Sequence, residues 1–407
     1  MTEGGNAGRR SRSAVMIFDR ARAAVTIAGI CAFLDLYAPQ AVLPQLAESF
    51  HVSPAGAGTT VGVCTLAVAV AAPFVGMLAD RIGRKRTIVT AAFLLQIPTI
   101  LLIFAHGLTE ILIWRFMQGL FLPAIFSPMV AYVNEEWSPA EAADVMGLYI
   151  AGSALGGFAG RFVTALLADH FGWRAGFAVL TLITLACAVA IWAWLPAGRH
   201  RAKAAVKAVG GLEGLVMHVR NPALLATFGI GFAVLFSQVA TFTYVNFHLA
   251  DAPYSLGPSQ LGMIFLVYPI GAAITPASGF LIRRFGRRQA TSLAVATACA
   301  GLLATLQSGL PMIIFGLALF VTGTFTMMSA AMGFVGQAAA QAKATAVGCY
   351  VCSYYVGGSV GAVLPGLLVW HVAGWRGCVA LIVVTMLGAL GLAWHAWRRE
   401  RSFCAAE

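Results

Sequence analysis

The chain has 407 residues, 60% of them hydrophobic and only 10% charged, with a formal net charge of +11. A soluble chain of this length needs far more charge to cover its surface, so the composition points to an all-α membrane protein. The basic excess would suit nucleic acid or an acidic partner, but it gathers at a few loops in an order that a bilayer explains better.

At about 20 residues per crossing, the apolar stretches fall into twelve segments. They are roughly 23–47, 57–79, 87–106, 108–131, 142–168, 174–195, 222–247, 257–282, 289–307, 309–333, 343–369 and 374–397. The first has the basic flank of a signal peptide. It is too long for one, carries Asp35 in its middle and shows no small-x-small cleavage site, so it reads as an uncleaved span. Asp35 lies in FLDLYAPQAVLP (33–44), where a charge at mid-span costs about 2.5–3.5 kcal/mol. Pro39 has no N–H to give to the carbonyl of residue 35, which leaves a free backbone oxygen beside the carboxylate. The two together suit a proton or an organic cation. Desolvation and a nearby arginine pull such a carboxyl in opposite directions, the balance a coupling group needs. The bland alternative is a static Asp–Arg pair that orients helices.

Further along, Lys and Arg alternate with the spans. Five stand in the N-terminal tail, four in the 2–3 loop, five in the 6–7 linker and four in the 8–9 loop. Lys343, Arg398, Arg399 and Arg401 bring that side to 22 of 26. This positive-inside pattern expects both termini in the cytoplasm. The expected division is a tail at 1–22, six helices over 23–195, a basic linker at 196–221 with room for an interfacial helix around 202–209, six helices over 222–397, and a tail at 398–407.

The two halves repeat at an offset near 201. GLYIAGSALGGFAGR (147–161) lies over GCYVCSYYVGGSVGA (348–362), and GMLADRIGRK (76–85) over GFLIRRFGRR (279–288). Two six-span halves of the same orientation imply a parallel repeat about an axis along the membrane normal, as in secondary transporters, with the cargo site between halves at mid-membrane. Glycines at spacings of three and four, such as Gly152, Gly156 and Gly160, read as close helix packing. Of the fifteen acids only Asp35 lies deep in a span, and Arg115 and Arg161 join it there. At the repeat offset Asp35 becomes Phe236 and Arg161 becomes Ala362. Cys349 and Cys352 form CxxC on a span and read as small apolar residues, not as a redox or metal pair.

The loop GMLADRIGRKR (76–86) resembles the G-x-L-a-D-r-x-G-r-k signature of the major facilitator superfamily. RFMQGLFLPA (115–124) is similar to that family's span-4 R-x-x-q-G motif, and DLYAPQAVLP (35–44) to the span-1 proline motif of its drug:proton antiporters. The likeness covers nearly all the chain after residue 22 and is nearest to twelve-span bacterial multidrug and arabinose-efflux-like exporters. It implies the major facilitator fold, twelve helices in two pseudo-symmetric six-helix bundles, in a bacterial inner membrane. It also implies a gating cluster of Gly76, Asp80, Arg81, Gly83 and Arg84, with Asp80 near the start of span 11 in the outward-facing state. Glu135, Glu136 and Asp144 are candidate partners for the loop's arginines. Arg115 would be the arginine linked to proton transfer, so Asp35, Arg115 and Arg161 form the candidate coupling set. Two departures stand out: Arg283 replaces the acid in the second loop copy, and span 5 lacks the proline of the antiporter signature G-P-x-x-G-G.

By the same resemblance spans 1, 4, 7 and 10 line the cleft. The binding pool is Phe232, Phe236, Gln238, Tyr244, Asn246, Phe325, Met327 and Met328, with Tyr268, Tyr354 and Tyr355 from spans 8 and 11. An aromatic wall with few polar groups suits lipophilic cargo, and a carboxylate facing it would favour a cation. The reading is a monomeric, proton-coupled exporter of small amphiphilic or cationic compounds. Its rivals are a sugar or metabolite exporter and an uptake symporter for an anion held by Arg115 and Arg161. A multi-span enzyme would need clustered acids, histidines or metal ligands at one face, and the chain has none at such spacing. Without a Walker-type loop, ATP is not expected to drive it, and no cofactor or metal is expected.

Overall fold

The computed structural model describes residues 4–198, 212–339 and 341–397, without the side chains of 4–18, 212–213, 272, 274–277 and 344. Among the described residues every regular element is a helix. Helix α1 (Gly4–Leu36) runs from the expected tail straight into the first segment. With no proline and a single glycine between 9 and 36, nothing there breaks it. Pro39 does: a 3-10 turn over Ala38–Val42 leads into α2 (Leu43–Phe50), and the two arms bend by 41°.

Segment 2 is α3 (Pro54–Ile82), segment 3 is α4 (Arg84–Leu94) with α5 (Gln96–Ile103), and segment 4 is α6 (Leu108–Phe121) with α7 (Pro123–Glu136). Segments 5 and 6 are α8 (Pro139–Phe171) and α9 (Trp173–Trp194). The interfacial helix expected around 202–209 lies outside the described residues. A short helix, α10 (Leu212–Val219), follows it and exposes Leu215, Val216, Met217 and Val219. The second half repeats the plan: α11 (Pro222–Ala250), then α12 (Pro258–Ile264) with α13 (Val267–Phe285), α14 (Arg287–Ala304), α15 (Leu310–Ala338), α16 (Lys343–Pro365) and α17 (His371–Ala396).

Among the described residues eight helical stretches are long and apolar enough to cross a bilayer, and the bent pair at 19–50 makes a ninth. One of the eight, Thr345–Ala396, spans 52 residues and turns at Gly374 (φ 54°), so it carries two expected segments. The α12–α13 pair and α14 fall short because arginines at their ends dilute the apolar run. They nonetheless occupy the eighth and ninth segments.

Packing within each half follows the repeat. A Cβ on Gly160 would sit 1.9 Å from the Leu34 carbonyl oxygen, and one on Gly156 2.4 Å from that of Ile30, so α8 lies backbone to backbone on α1. In the second half Gly357 and Gly361 bring α16 as close to the carbonyls of Phe232 and Phe236 on α11. Such contacts recover dispersion energy that lipid alone does not supply.

The halves meet mainly away from the face that carries the basic loops. There α3 crosses to α16, with a Cβ on Gly58 falling 2.2 Å from the Ala362 carbonyl oxygen. Gly262 of α12 rests on Ala165 and Phe162 of α8, and Gly366 rests on Ala55 and the Tyr244 hydroxyl. Toward the basic face, Gly76, Gly147, Gly336 and Gly348 have nothing within 4 Å of where a Cβ would stand. Gly58→Leu is therefore expected to hold the closed face apart while leaving each bundle packed. Spin labels on the exposed positions Ser53 and Leu367 should report a longer distance than in the wild type, and an unchanged distance would contradict the packing described.

Candidate functional site

The break at Pro39 sets the site. Gln40 donates its N–H to the Tyr37 carbonyl in the 3-10 turn, so the carbonyls of Asp35 and Leu36 lose their helical partners. Arg115 of α6 takes both. Its Nη1 donates to the Asp35 carbonyl at 2.8 Å and to Gln118 Oε1 at 2.7 Å, its Nη2 to the Leu36 carbonyl at 2.5 Å, and its Nε to the Thr60 carbonyl at 3.0 Å. Gln118 in turn donates to the Thr99 hydroxyl. The guanidinium is fully buried, and its charge rests on the negative end of a broken helix. The backbone oxygen expected to stand free beside Asp35 is therefore occupied.

The Asp35 carboxyl group is itself fully buried, and among the described residues neither oxygen has a hydrogen-bond partner. Arg115 is near enough to act on it electrostatically, yet spends its donors on carbonyls, so the static ion pair does not form. Cys31 on its own helix, Cys64 on α3 and Cys187 on α9 lie within electrostatic reach of it. All three belong to the first bundle.

The charge that meets the aromatics belongs to Arg161 of α8. Its guanidinium carbon lies 4.6 Å from the ring centre of Tyr37, 4.7 Å from that of Phe265 and 4.9 Å from that of Tyr268. Its Nε donates to Gln40 Oε1 at 3.0 Å and its Nη1 to the Gly157 carbonyl at 2.6 Å. Asn246 of α11 donates to the Gln40 carbonyl at 2.6 Å, which ties the 3-10 turn to the second half. Arg161 is 3% exposed and has no carboxylate partner among the described residues.

The binding pool divides. Tyr355 stacks on Phe126 across the two halves at 6.1 Å, Phe33 adds to that pair, and Tyr354 meets Tyr355 edge-on. Phe325 meets Tyr268 edge-on at 6.2 Å. Phe232 and Phe236 stack on each other along α11, with Phe236 buried against α16, and Met328 is half-buried on α15. Gln238 donates to Thr324 within the second half. Tyr244 donates to the Ala362 carbonyl and belongs to the closed face. Sequence reasoning missed Tyr37, Gln40, Phe33 and Phe126. The first two lie within the quoted proline motif, but nothing in their spacing says which neighbour they meet.

In the loop between α3 and α4, Gly83 has φ +96°, a conformation that glycine adopts without strain. Gly76 faces open space. Arg84 forms a two-pronged bond with Glu135 of α7, one of the three candidate acids, and lies 3.3 Å from Asp80. Arg81 points outward. In the second copy Gly286 repeats the positive φ, but arginines stack on rings where the first copy has acids: Arg287 on Phe334 and Trp397, Arg288 on Trp394.

A family model described as Major Facilitator Superfamily matches residues 25–255 and 246–403. The inner membrane transport protein YnfM of Escherichia coli (strain K12) is 33% identical over 94% of this chain and 91% of its own. The MFS-type transporter YybF of Bacillus subtilis (strain 168) is 32% identical over 95% of this chain and 96% of its own. Among solved structures, an inward-facing, unoccupied bacterial homolog of the human lysosomal transporter Spinster superposes with a TM-score of 0.77 over 94% of this chain and 97% of that one, at 15% identity. The human organic anion transporter MFSD10 superposes with a TM-score of 0.70 over 92% and 99%, at 18% identity. At such identities these two structures speak for the fold.

Proposed function

The chain belongs to the major facilitator superfamily, and from that premise we propose that it is a proton-coupled secondary transporter that exports small amphiphilic compounds by alternating access. Membership itself makes it a multi-pass membrane transporter and not an enzyme. The observation that carries the coupling reading is the Asp35 carboxyl group: fully buried, with neither oxygen hydrogen-bonded among the described residues. Burial without a donor costs the carboxylate more than the neutral acid, so the group suits this conformation with its proton on. With the basic face in the cytoplasm, as the positive-inside pattern expects, the conformation opens inward; the proton would be taken up outside, carried here on Asp35 and released to the cytoplasm as cargo binds.

Export is supported by the span-1 stretch DLYAPQAVLP, which resembles the proline motif of the family's drug:proton antiporters. Cationic cargo is not carried forward, because the charge beside the cleft's rings is that of Arg161. The test uses proteoliposomes holding a pH-sensitive dye. A cargo identified by susceptibility of a deletion strain should drive protons the opposite way as it crosses, and cargo movement without opposed proton movement would reject the coupling.

A further inference from the structure

We propose that Arg161 binds the anionic group of the cargo, so that the cargo class is an organic monoanion with an apolar or aromatic body. The proposal rests on the reading above that cargo passes between the bundles, and it adds the charge that is recognised.

Two buried arginines could hold an anion, and their surroundings separate them. Arg115 has four of its five N–H directions met by oxygen acceptors and is closed off from every surface. Adding an anion there would require breaking the repair of the α1 break. Arg161 gives its N–H groups to only two oxygens, and its Nη2 bonds to no described residue. Among the described residues it has no carboxylate partner, and its positive charge meets only three ring faces and two neutral acceptors. An uncompensated guanidinium in a low-dielectric interior is a strong site for a carboxylate, sulfonate or phosphate-type oxygen pair, which it can grip with two parallel hydrogen bonds.

The place suits cargo. Tyr37 and Gln40 come from the first bundle and Phe265 and Tyr268 from the second, so Arg161 stands where the halves meet. Tyr268 leads on to Phe325, an apolar wall for the body of the molecule. One charge is available, hence one anionic group. Binding also acts on the closed face. An anion that takes the donors of Arg161 away from Gln40 loosens the turn that Asn246 holds from α11. Cargo would thereby weaken the latch that must open for its passage.

The experiment measures binding, not transport, on the full chain in detergent, using matched pairs that differ only in charge: benzoate and benzamide, 2-naphthoate and 2-naphthamide, laurate and lauramide. At least one carboxylate should bind about tenfold or more tighter than its amide. Arg161→Gln should erase that preference while leaving amide binding in place, which shows that the cleft is still formed. Arg161→Lys should keep part of the preference. Asp35→Asn should keep all of it, so loss of coupling and loss of anion recognition are told apart. If no carboxylate outbinds its amide, or if Arg161→Gln leaves the preference intact, Arg161 is not the anion site.

Discussion

Asp35→Asn should fold as well as the parent protein and yet fail to concentrate cargo when driven by a pH difference. Asparagine fills the same volume and, like the protonated acid, carries no charge into a site where no described residue offers a hydrogen bond. Its thermal midpoint is expected to equal or exceed that of the parent, since the variant is fixed in the neutral form that the burial favours. Each proton moved down one pH unit is worth about 1.4 kcal/mol, about tenfold in cargo concentration at balance. In Asp35→Asn proteoliposomes that tenfold should fall to none, while exchange of labelled for unlabelled cargo at equal concentrations continues. Uphill transport that persists and still follows the pH difference would remove Asp35 from the coupling path.

Removing Arg115 should be the most damaging single change in the first bundle. In Arg115→Ala the carbonyls of Asp35 and Leu36 keep no partner, and Gln118 Oε1 loses its donor. Each buried unmet acceptor costs about 1–3 kcal/mol, so the loss comes to about 3–9 kcal/mol before any cavity is counted. Lysine should rescue little, because one ammonium cannot reach acceptors on α1, α3 and its own helix as a flat fork does. Fluorescence-detected size-exclusion after heating should show both variants aggregating well below the parent. If Arg115→Ala keeps the parent's thermal stability and loses only proton coupling, the arginine acts on the proton and not on the helix break.

These expectations show where sequence reading reached and where it stopped. The twelve segments, the basic side, the doubled design and the family are legible because a bilayer imposes them segment by segment: apolar length, charge at the ends, glycine where helices touch. Asp35, Arg115 and Arg161 stand out for the same reason, as charges in lipid-depth runs, and Pro39 announces a freed carbonyl. The loop acid Glu135 was likewise within reach, since the resemblance supplied a short roster of partners for Arg84.

The pairing of those groups was not legible. A periodicity gives the face of a helix only relative to itself, and the rotation of each helix against its neighbours is settled by close packing, as at Gly160 on Leu34. That rotation turns Asp35 toward cysteines inside the first bundle, brings Arg115 to the carbonyls Pro39 had released, and sets Arg161 among rings from both halves. The sequence by itself determined a twelve-segment carrier with three charges in its interior. Only the tertiary structure decided which charge caps a helix, which lies alone and which faces the path between the halves, because those outcomes depend on distances of a few ångströms between residues far apart in the chain.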